Sequence, residues 1–230
     1  MGVPGNAFLF DLDGTLIDSV YQHVLAWHQA LHAEHIELSI WRIHRKIGMS
    51  GGLFADQLLR EIHGEVTPAM IKRLGERHAE AYRVLSASVV PLPGARALLD
   101  GLSDAKIPWA IATSGRLETA GPNLEALGVD PDRSVVVTRD QVRFAKPDPD
   151  LFLEAARRLG VSIERSIVVG DSIWDMLAAA RCRALGIGLL SGGYGLDELQ
   201  NSGALRVYED PADLLRHIDE VASRTRVDDT

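Results

Sequence analysis

The chain has 230 residues, a length that suits one large α/β domain or a core domain with a smaller insertion. Of these residues 46% are hydrophobic and 24% are charged, which is an ordinary composition for a globular protein. The net charge is −8 and no cluster of five or more Lys and Arg residues occurs, so nucleic acid is not an expected partner. Neither a secretory signal nor an apolar stretch of the roughly 20 residues that a membrane helix needs is visible, and a single cysteine excludes an intrachain disulfide, so a cytoplasmic protein with no membrane partner is expected.

Short apolar, β-rich runs alternate with helical patterns along most of the chain, and this alternation predicts a parallel sheet covered by helices on both faces. The predicted strands are 7–10, 108–112, 134–138, 166–169 and 185–190, with a further short strand at 205–208. Nearly 100 residues separate the first strand from the second, whereas the later gaps have the length of an ordinary crossover. The sequence therefore predicts an α/β fold with an insertion after the first strand.

The insertion contains no convincing strand and instead carries apolar stripes with helical spacing. The residues of the three stripes are Val20, Val24, Trp27 and Leu31, then Leu53, Leu58, Leu59 and Ile62, then Met70, Ile71, Leu74, Ala81 and Tyr82. We interpret the segment as a helical cap over the carboxyl ends of the strands, where open α/β sheets bind their ligands. Trp27 is expected in the core of this cap.

Seven of the eight histidines lie in the insertion, namely His23, His28, His32, His35, His44, His63 and His78. His28 and His32 are one helical turn apart, so a zinc site is conceivable, but no Cys or paired carboxylate completes a set of ligands. The alternative is that they are helix-surface histidines. For His23, a surface position and a hinge or substrate contact are both open.

The segment Asp11–Ser19 reads DLDGTLIDS and directly follows the first predicted strand. Its first two acids, Asp11 and Asp13, are spaced i and i+2, which places them on the same face of an extended chain. Two carboxylates this close repel each other unless a cation or a shared proton intervenes, and Mg²⁺ together with a phosphate ester would provide that relief. The alternative is an ordinary strand-to-turn exit, because Asp and Gly favour turns.

Polar groups also follow three later predicted strands. Thr113 and Ser114 offer hydroxyls and amides that suit a phosphate oxygen, although a plain loop is the alternative. Lys146 precedes a proline, so its backbone is extended and its ammonium could neutralise a carboxylate and a phosphoryl group; otherwise it would be a solvated surface lysine. Asp171, followed by Asp175, could complete the oxygen shell of Mg²⁺ or act as a helix N-cap.

In this order and at these strand ends, the four groups resemble the four motifs of the haloacid dehalogenase superfamily, in its phosphatase branch. The resemblance covers essentially the whole chain, including the helical cap between the first and second motifs. It implies a Rossmann-like catalytic core at 1–17 and 88–230 and a helical cap at 18–87. Within the superfamily, the chain is similar to phosphoglycolate phosphatases and to β-phosphoglucomutase-like sugar phosphatases.

The resemblance also implies a role for each motif residue. Asp11 would be the nucleophile that forms an aspartyl-phosphate, and Asp13 the general acid and then the general base. Mg²⁺ would be held by the Asp11 carboxylate, the Asp13 backbone carbonyl and Asp171. The remaining predicted site residues bind phosphate (Gly14, Thr113, Ser114 and Lys146), support the site (Ser172 and Asp175), or determine specificity from the cap (His23, Lys46 and Met49).

Asp13 distinguishes among the branches, because dehalogenases of this superfamily carry an aromatic residue there and phosphonatases a small one. The resemblance therefore implies Mg²⁺-dependent hydrolysis of a small phosphomonoester, such as a sugar phosphate or phosphoglycolate. A β-phosphoglucomutase-like mutase stays open, as does a non-catalytic phosphate-binding role. The segment 46–50 resembles the cap specificity loop but has Gly51 where an Arg is usual. Which ester is cleaved and whether the protein is a monomer or a weak homodimer are left open.

Capping residues, prolines and glycines predict where several helices and loops begin and end. Asp148 and Pro149 would be the N-cap and first residue of a helix that ends at Gly160, and a helix would kink or restart at Pro122. The segment 191–195 is expected to be a mobile or ligand-facing loop. Arg183 stands where the family commonly has Gly, and a left-handed backbone there would cost about 1 kcal/mol.

Overall fold

The computed structural model describes residues 6–61 and 67–222, and in that part of the chain a six-stranded parallel sheet forms the centre of the fold. The strands, in chain order, are β1 (Ala7–Phe10), β2 (Ile17–Asp18), β3 (Val90–Pro91), β4 (Trp109–Ala112), β5 (Val136–Val137), β6 (Ser166–Gly170), β7 (Leu185–Leu189) and β8 (Ala204–Tyr208). The sheet has the order β5-β4-β1-β6-β7-β8, so the predicted α/β fold with a Rossmann-like core is confirmed.

The helices surround this sheet or form the insertion after its first strand. They are α1 (Val20–His32), α2 (Ile40–His44), α3 (Gly51–Glu61), α4 (Pro68–Leu85), α5 (Ala95–Asp104), α6 (Leu117–Leu127), α7 (Asp150–Leu159), α8 (Ile173–Arg181), α9 (Leu196–Asn201), α10 (Pro211–Arg216) and α11 (Ile218–Ala222). None of the helices in the described part of the chain is long and apolar enough to cross a membrane.

The strand register brings three strand ends to one level. Phe10 of β1 pairs with Ile111 of β4 on one side and with Val169 of β6 on the other. The polar residues that follow these strands therefore emerge at the same edge of the sheet. This edge is where ligands bind in open α/β folds.

Both faces of the central strands are buried. Phe8 and Phe10 pack in one hydrophobic cluster with α5 and α6, and Leu9 packs in another with α7 and α8. Alternate residues of a strand point to opposite faces, so covering both faces requires an almost continuous apolar run. This is why the strands are recognisable in the sequence.

The insertion has a hydrophobic cluster of its own, built from residues of the first and third predicted stripes together with Phe54 and Ala55 of α3. Trp27 is buried in this cluster as predicted, together with Val24, Phe54 and Leu74. Ile62, which we predicted in the second stripe, lies outside the described residues, as does His63. The chain leaves the sheet domain through β2 and returns through β3, and these two short strands pair antiparallel with each other.

Helices α6 and α7 differ in part from the prediction. Gly160 ends α7 in the left-handed conformation as predicted, but the predicted start is wrong, because Pro149 rather than Asp148 is the N-cap residue. The Asp148 carboxylate instead accepts a hydrogen bond from Arg181. Of the predicted kink or restart at Pro122, the restart is wrong, because α6 continues through this residue, and the kink stays a prediction.

Candidate active site

A buried lysine lies between two carboxylates at the carboxyl edge of the sheet. Nζ of Lys146 forms ion pairs with Asp11, which follows β1, and with Asp175 in the first turn of α8. Lys146 is 0% exposed, so the alternative of a solvated surface lysine is wrong. Burial alone would lower the pKa of Lys146, but the charges of Asp11 and Asp175 outweigh that effect and raise it. The ammonium is therefore charged at neutral pH.

Asp171 adds a third carboxylate on the side of Asp11. Within residues 6–61 and 67–222, Asp11, Asp171 and Asp175 form the group whose ligand atoms all lie within 4.8 Å of one another. Burial and the charges of Asp175 and Asp11 hold the pKa of Asp171 well above its usual range. Burial likewise raises the pKa of Asp11 to about 7, although Lys146 opposes this rise.

The charge and the donor atoms of this cluster suit a divalent cation. Burial, and then repulsion between the neighbouring carboxylates, raise the pKa values of Asp11 and Asp171, and one lysine leaves an excess of negative charge when all three acids are ionised. Carboxylate oxygens are the ligands that hard divalent cations prefer. The cluster therefore suits a divalent metal ion, as the sequence predicts.

Two glycines make close approaches to Asp171. Gly14 has φ +85°, and a Cβ there would lie 2.5 Å from Oδ2 of Asp171. Gly192, in the loop after β7, comes closer still, with 1.7 Å between the position of an added Cβ and the same oxygen. Gly14 was predicted to bind phosphate, and the structure places it against this carboxylate.

The loop 191–195 is packed between sheet domain and insertion. Ser191 donates a hydrogen bond to the carbonyl of Gly14, and Nε2 of His44 from α2 lies 2.8 Å from the carbonyl of Gly192. Tyr194 donates to the carbonyl of Arg45. These contacts join α2 to the neighbourhood of Asp171, and the predicted mobile or ligand-facing character of the loop stays a prediction.

Ser172, not Asp171, caps α8, so the N-cap alternative for Asp171 is wrong. Oγ of Ser172 and the backbone amide and carboxylate of Asp175 form a reciprocal capping box. The Ser172 hydroxyl lies 2.5 Å from Oδ2 of Asp175. The capping box uses Oδ2 of Asp175 and Lys146 contacts Oδ1, so both oxygens of Asp175 are occupied and its side chain is fixed. Asp171 accepts a hydrogen bond from Thr15 through Oδ1.

Thr113 and Ser114 follow β4 and line a cavity of about 850 Å³ that also contains Asp11 and Asp13. Oγ1 of Thr113 accepts a hydrogen bond from the amide of Gly115, so its own proton is available for another acceptor. Oγ of Ser114 is buried and has no hydrogen-bond partner in the described part of the chain. Both hydroxyls can therefore donate to an anionic group in the cavity.

Asp13 is held differently from Asp11. Its Oδ1 atom accepts hydrogen bonds from Ser19 at 2.6 Å and Asn123 at 2.7 Å, and His23 Nε2 lies 3.3 Å away. Burial would raise the pKa of Asp13, but His23 and the hydrogen bonds from Ser19 and Asn123 outweigh it and the pKa is lowered. The pKa values of the two acids of the first motif are thus shifted in opposite directions: that of Asp11 is raised and that of Asp13 is lowered.

The cap residues singled out in the sequence occupy the wall of the same cavity. His23, Lys46 and Met49 all line it, next to Trp27. His23 is 8% exposed and stacks on Tyr82, so the alternative of a surface position is wrong. His28 and His32 do not belong to any candidate metal group among the described residues, and His32 instead lies 3.4 Å from Glu37.

Sequence reasoning assigned no role to four residues around the acids: Asn123 and Gly192 approach Asp13 and Asp171, and Tyr82 and His78 contact Asn123 and His23. Asn123 hydrogen-bonds to Tyr82 as well as to Asp13, and His78 lies 3.1 Å from Nδ1 of His23. A buried Asn in the middle of a helix is an unusual choice and was the available signal for Asn123. Nothing in the local sequence distinguishes the other three.

A buried acid–lysine cluster with hydroxyl donors at the carboxyl edge of a parallel sheet defines an enzyme site for an anionic substrate. The sequence model of the haloacid dehalogenase-like hydrolases matches residues 6–183, and the chain belongs to this family of hydrolases. The predicted family is therefore confirmed.

The relatives include enzymes with phosphatase names. Hexitol phosphatase A of Escherichia coli strain K12 is 33% identical over 195 residues, which are 78% of this chain and 82% of that protein. A phosphoglycolate phosphatase of Agrobacterium fabrum is 31% identical over 186 residues, 80% of each chain. A solved structure of a hydrolase from Pseudomonas syringae has 57% identity and a TM-score of 0.93, and the match covers 94% of this chain and 99% of that one.

Proposed function

We propose that this protein is a Mg²⁺-dependent phosphatase that hydrolyses a small phosphomonoester through an aspartyl-phosphate intermediate on Asp11. The observation that carries this proposal is the placement of Asp11 between a buried ammonium and a cavity that also receives Asp13 and the donors Thr113 and Ser114. The phosphatase names of the relatives agree with it.

In the first step, a carboxylate oxygen of Asp11 attacks phosphorus and the bond from phosphorus to the ester oxygen breaks. Because its pKa is lowered in the free protein, Asp13 must take up a proton as the substrate binds; it then gives this proton to the departing oxygen, so that an alcohol leaves instead of an alkoxide. Covalent catalysis divides one difficult displacement into two easier ones.

In the second step, Asp13 accepts a proton from water as the water attacks the phosphorus of the aspartyl-phosphate. The acyl phosphate bond breaks, inorganic phosphate is released and the Asp11 carboxylate is restored. One residue serves as acid and then as base because the first step leaves it deprotonated.

The ion and the cationic side chain share the task of neutralising charge. The Asp11 and Asp171 carboxylates and the Asp13 carbonyl would hold Mg²⁺, which supplies positive charge to the transferring phosphoryl group. Lys146 contributes a fixed ammonium beside Asp11, and Asp175 holds that ammonium in place. Thr113 and Ser114 would donate hydrogen bonds to the phosphoryl oxygens.

We further propose the division into a catalytic core at 1–17 and 88–230 and a cap at 18–87. The separate hydrophobic cluster of the insertion and the pairing of β2 with β3 at its base support this division. A cap over the cavity would limit the access of bulk water to the reacting groups.

The substrate we propose is a sugar phosphate, a sugar-alcohol phosphate or phosphoglycolate. A cavity of about 850 Å³ has room for a sugar-sized leaving group. Lys46, Met49 and His23 line it and would contact that group from the cap. We also propose that the protein acts in the cytoplasm as a monomer or weak homodimer, without nucleic acid.

The test is phosphate release from a panel of esters that includes phosphoglycolate, glucose 6-phosphate and sorbitol 6-phosphate, with Mg²⁺ and with EDTA. We expect Mg²⁺-dependent turnover that Asp11→Asn abolishes, and trapping of ³²P on the protein at Asp11. Interconversion of β-glucose 1-phosphate and glucose 6-phosphate without net phosphate release would instead indicate a mutase. Turnover that persists in Asp11→Asn would exclude the covalent mechanism.

A further inference from the structure

All hydrogen bonds to the Asp13 carboxylate converge on one of its two oxygens. Ser19, Asn123 and His23 lie at 2.6, 2.7 and 3.3 Å from Oδ1. Among the described residues, no hydrogen bond reaches Oδ2, and Asp13 lines the cavity. A carboxylate held by several donors on one oxygen cannot rotate freely, so Oδ2 keeps one orientation.

The donor that comes from the sheet domain is Asn123 of α6. Its side chain is 1% exposed, and the Tyr82 hydroxyl from α4 lies 2.7 Å from its Nδ2 and 3.0 Å from its Oδ1. Tyr82 is itself 1% exposed and stacks on His23. The tyrosine hydroxyl therefore holds the amide of Asn123 so that Nδ2 faces Asp13.

Ser19 is also committed to this arrangement. It is the N-cap residue of α1, but its side chain forms no capping hydrogen bond. Its Oγ donates a hydrogen bond to Asp13, which holds the hydroxyl on this carboxylate.

We infer that Asn123, backed by Tyr82, is a positioning residue for proton transfer: it fixes the Asp13 carboxylate with Oδ2 directed at the leaving oxygen. The inference rests on the proposed phosphatase function and deepens it. Proton transfer depends strongly on geometry, so a mobile Asp13 would still be present but would deliver its proton poorly.

A merely structural role for Asn123 predicts a different outcome. An alkyl phosphate has a poor leaving group that needs the proton, whereas p-nitrophenolate leaves without one. If Asp13 is no longer positioned, the rate should fall more with the alkyl phosphate than with p-nitrophenyl phosphate. A general loss of folded enzyme should instead lower both rates equally. The quantity to compare is kcat/KM, because it reports the step in which the ester bond breaks.

The experiment compares wild type, Asn123→Leu, Asn123→Gln and Tyr82→Phe. The substrates are p-nitrophenyl phosphate and whichever of phosphoglycolate, glucose 6-phosphate and sorbitol 6-phosphate the wild type hydrolyses fastest. For Asn123→Leu we expect kcat/KM to fall about 30–100-fold with the alkyl ester and less than about threefold with p-nitrophenyl phosphate. Asn123→Gln keeps a donor and should recover part of the loss.

Leu124→Ala is the matched control, because Leu124 is the neighbouring buried residue on α6 and packs in the sheet-domain core. It should lower stability without changing the ratio of the two kcat/KM values. If Asn123→Leu does not fold, Tyr82→Phe tests the same arrangement with a smaller selective loss, of about three- to tenfold.

The outcomes separate the inference from the function on which it rests. A wild type that hydrolyses neither ester overturns the proposed function and the inference with it. An active wild type with equal losses on both esters, or with no loss, in Asn123→Leu and Tyr82→Phe overturns the inference alone.

Discussion

The ammonium of Lys146 lies 2.8 Å from Oδ1 of Asp175, and neither side chain is exposed to solvent. Asp175 thereby orients a lysine that also pairs with Asp11, so the first turn of α8 determines where the charge beside the nucleophile lies. Removing one partner of a buried ion pair strongly destabilises the folded protein, because the other charge is left buried and uncompensated.

Lys146→Met should therefore reduce both activity and stability. We expect kcat to fall at least about 10²–10³-fold, as for other fixed groups that stabilise developing charge. The free energy of unfolding should decrease by about 3–5 kcal/mol in the metal-free protein, measured by urea denaturation. Lys106→Met, at an exposed position, is the control and should change neither quantity; similar losses in both variants would contradict the assignment.

Gly192→Ala should disturb Asp171 directly. The added methyl group would lie 1.7 Å from Oδ2 of Asp171, so either the loop or the carboxylate must move. We expect at least a tenfold weaker Mg²⁺ affinity, measured by calorimetry, since a displaced ligand typically costs that much.

Gly101→Ala provides the control for Gly192→Ala. Gly101 lies inside α5, and an added Cβ would meet its nearest neighbour, Leu215, at 3.9 Å. Alanine there should raise the free energy of unfolding by about 0.5–1 kcal/mol and leave Mg²⁺ affinity unchanged. Equal Mg²⁺ affinity in the two variants would show that the approach of Gly192 to Asp171 is unimportant.

Arg183→Gly should stabilise the protein. Arg183 has φ +62°, which confirms the left-handed backbone considered from the sequence, and a side chain there costs about 1 kcal/mol. Its ion pair with Glu164 is long, at 3.7 Å, and exposed. Arg183→Ala keeps the Cβ and serves as the control. The glycine variant should have a higher Tm in thermal unfolding than the alanine variant. The reverse order would contradict backbone strain at position 183.

Mg²⁺ should stabilise the protein more at high pH than at low pH. The pKa of Asp11 is raised from 3.8 to about 7, and that of Asp171 is also raised. A folded-state pKa above the unfolded value favours folding only while the group is protonated, so the metal-free protein should lose stability as pH rises from about 4 to about 7. The ion must displace these protons to bind.

The measurement is the shift of Tm on adding Mg²⁺ at about pH 5 and about pH 8, with Ca²⁺-free buffers and an EDTA reference. The shift should be larger at the higher pH, and Asp11→Asn should reduce the difference. An equal shift at both pH values would mean that protons and Mg²⁺ do not compete for this cluster.

The strands and the main acids were predictable because both depend on short stretches of chain. A strand covered on both faces requires a continuous apolar run, and β1, β4 and β6 show one. Asp11, Thr113 and Asp171 directly follow these runs, so parallel topology alone brings them to one edge. We predicted that Asp148 would be the N-cap residue of α7, but the helix begins at Asp150. Asp148 instead pairs with Arg181, more than 30 residues away, and local capping preferences do not include such a distant partner.

By itself, the sequence determined the parallel sheet, the helical insertion and the presence of Asp11, Thr113 and Asp171 at strand ends, because these follow from local periodicity and from the residue types at strand termini. Only the tertiary structure decided that Lys146 is buried between Asp11 and Asp175, that Gly192 meets Asp171, and that Asn123 and Tyr82 hold Asp13. Such contacts join segments far apart in the chain, and their existence depends on how helices and loops pack, which no local pattern encodes.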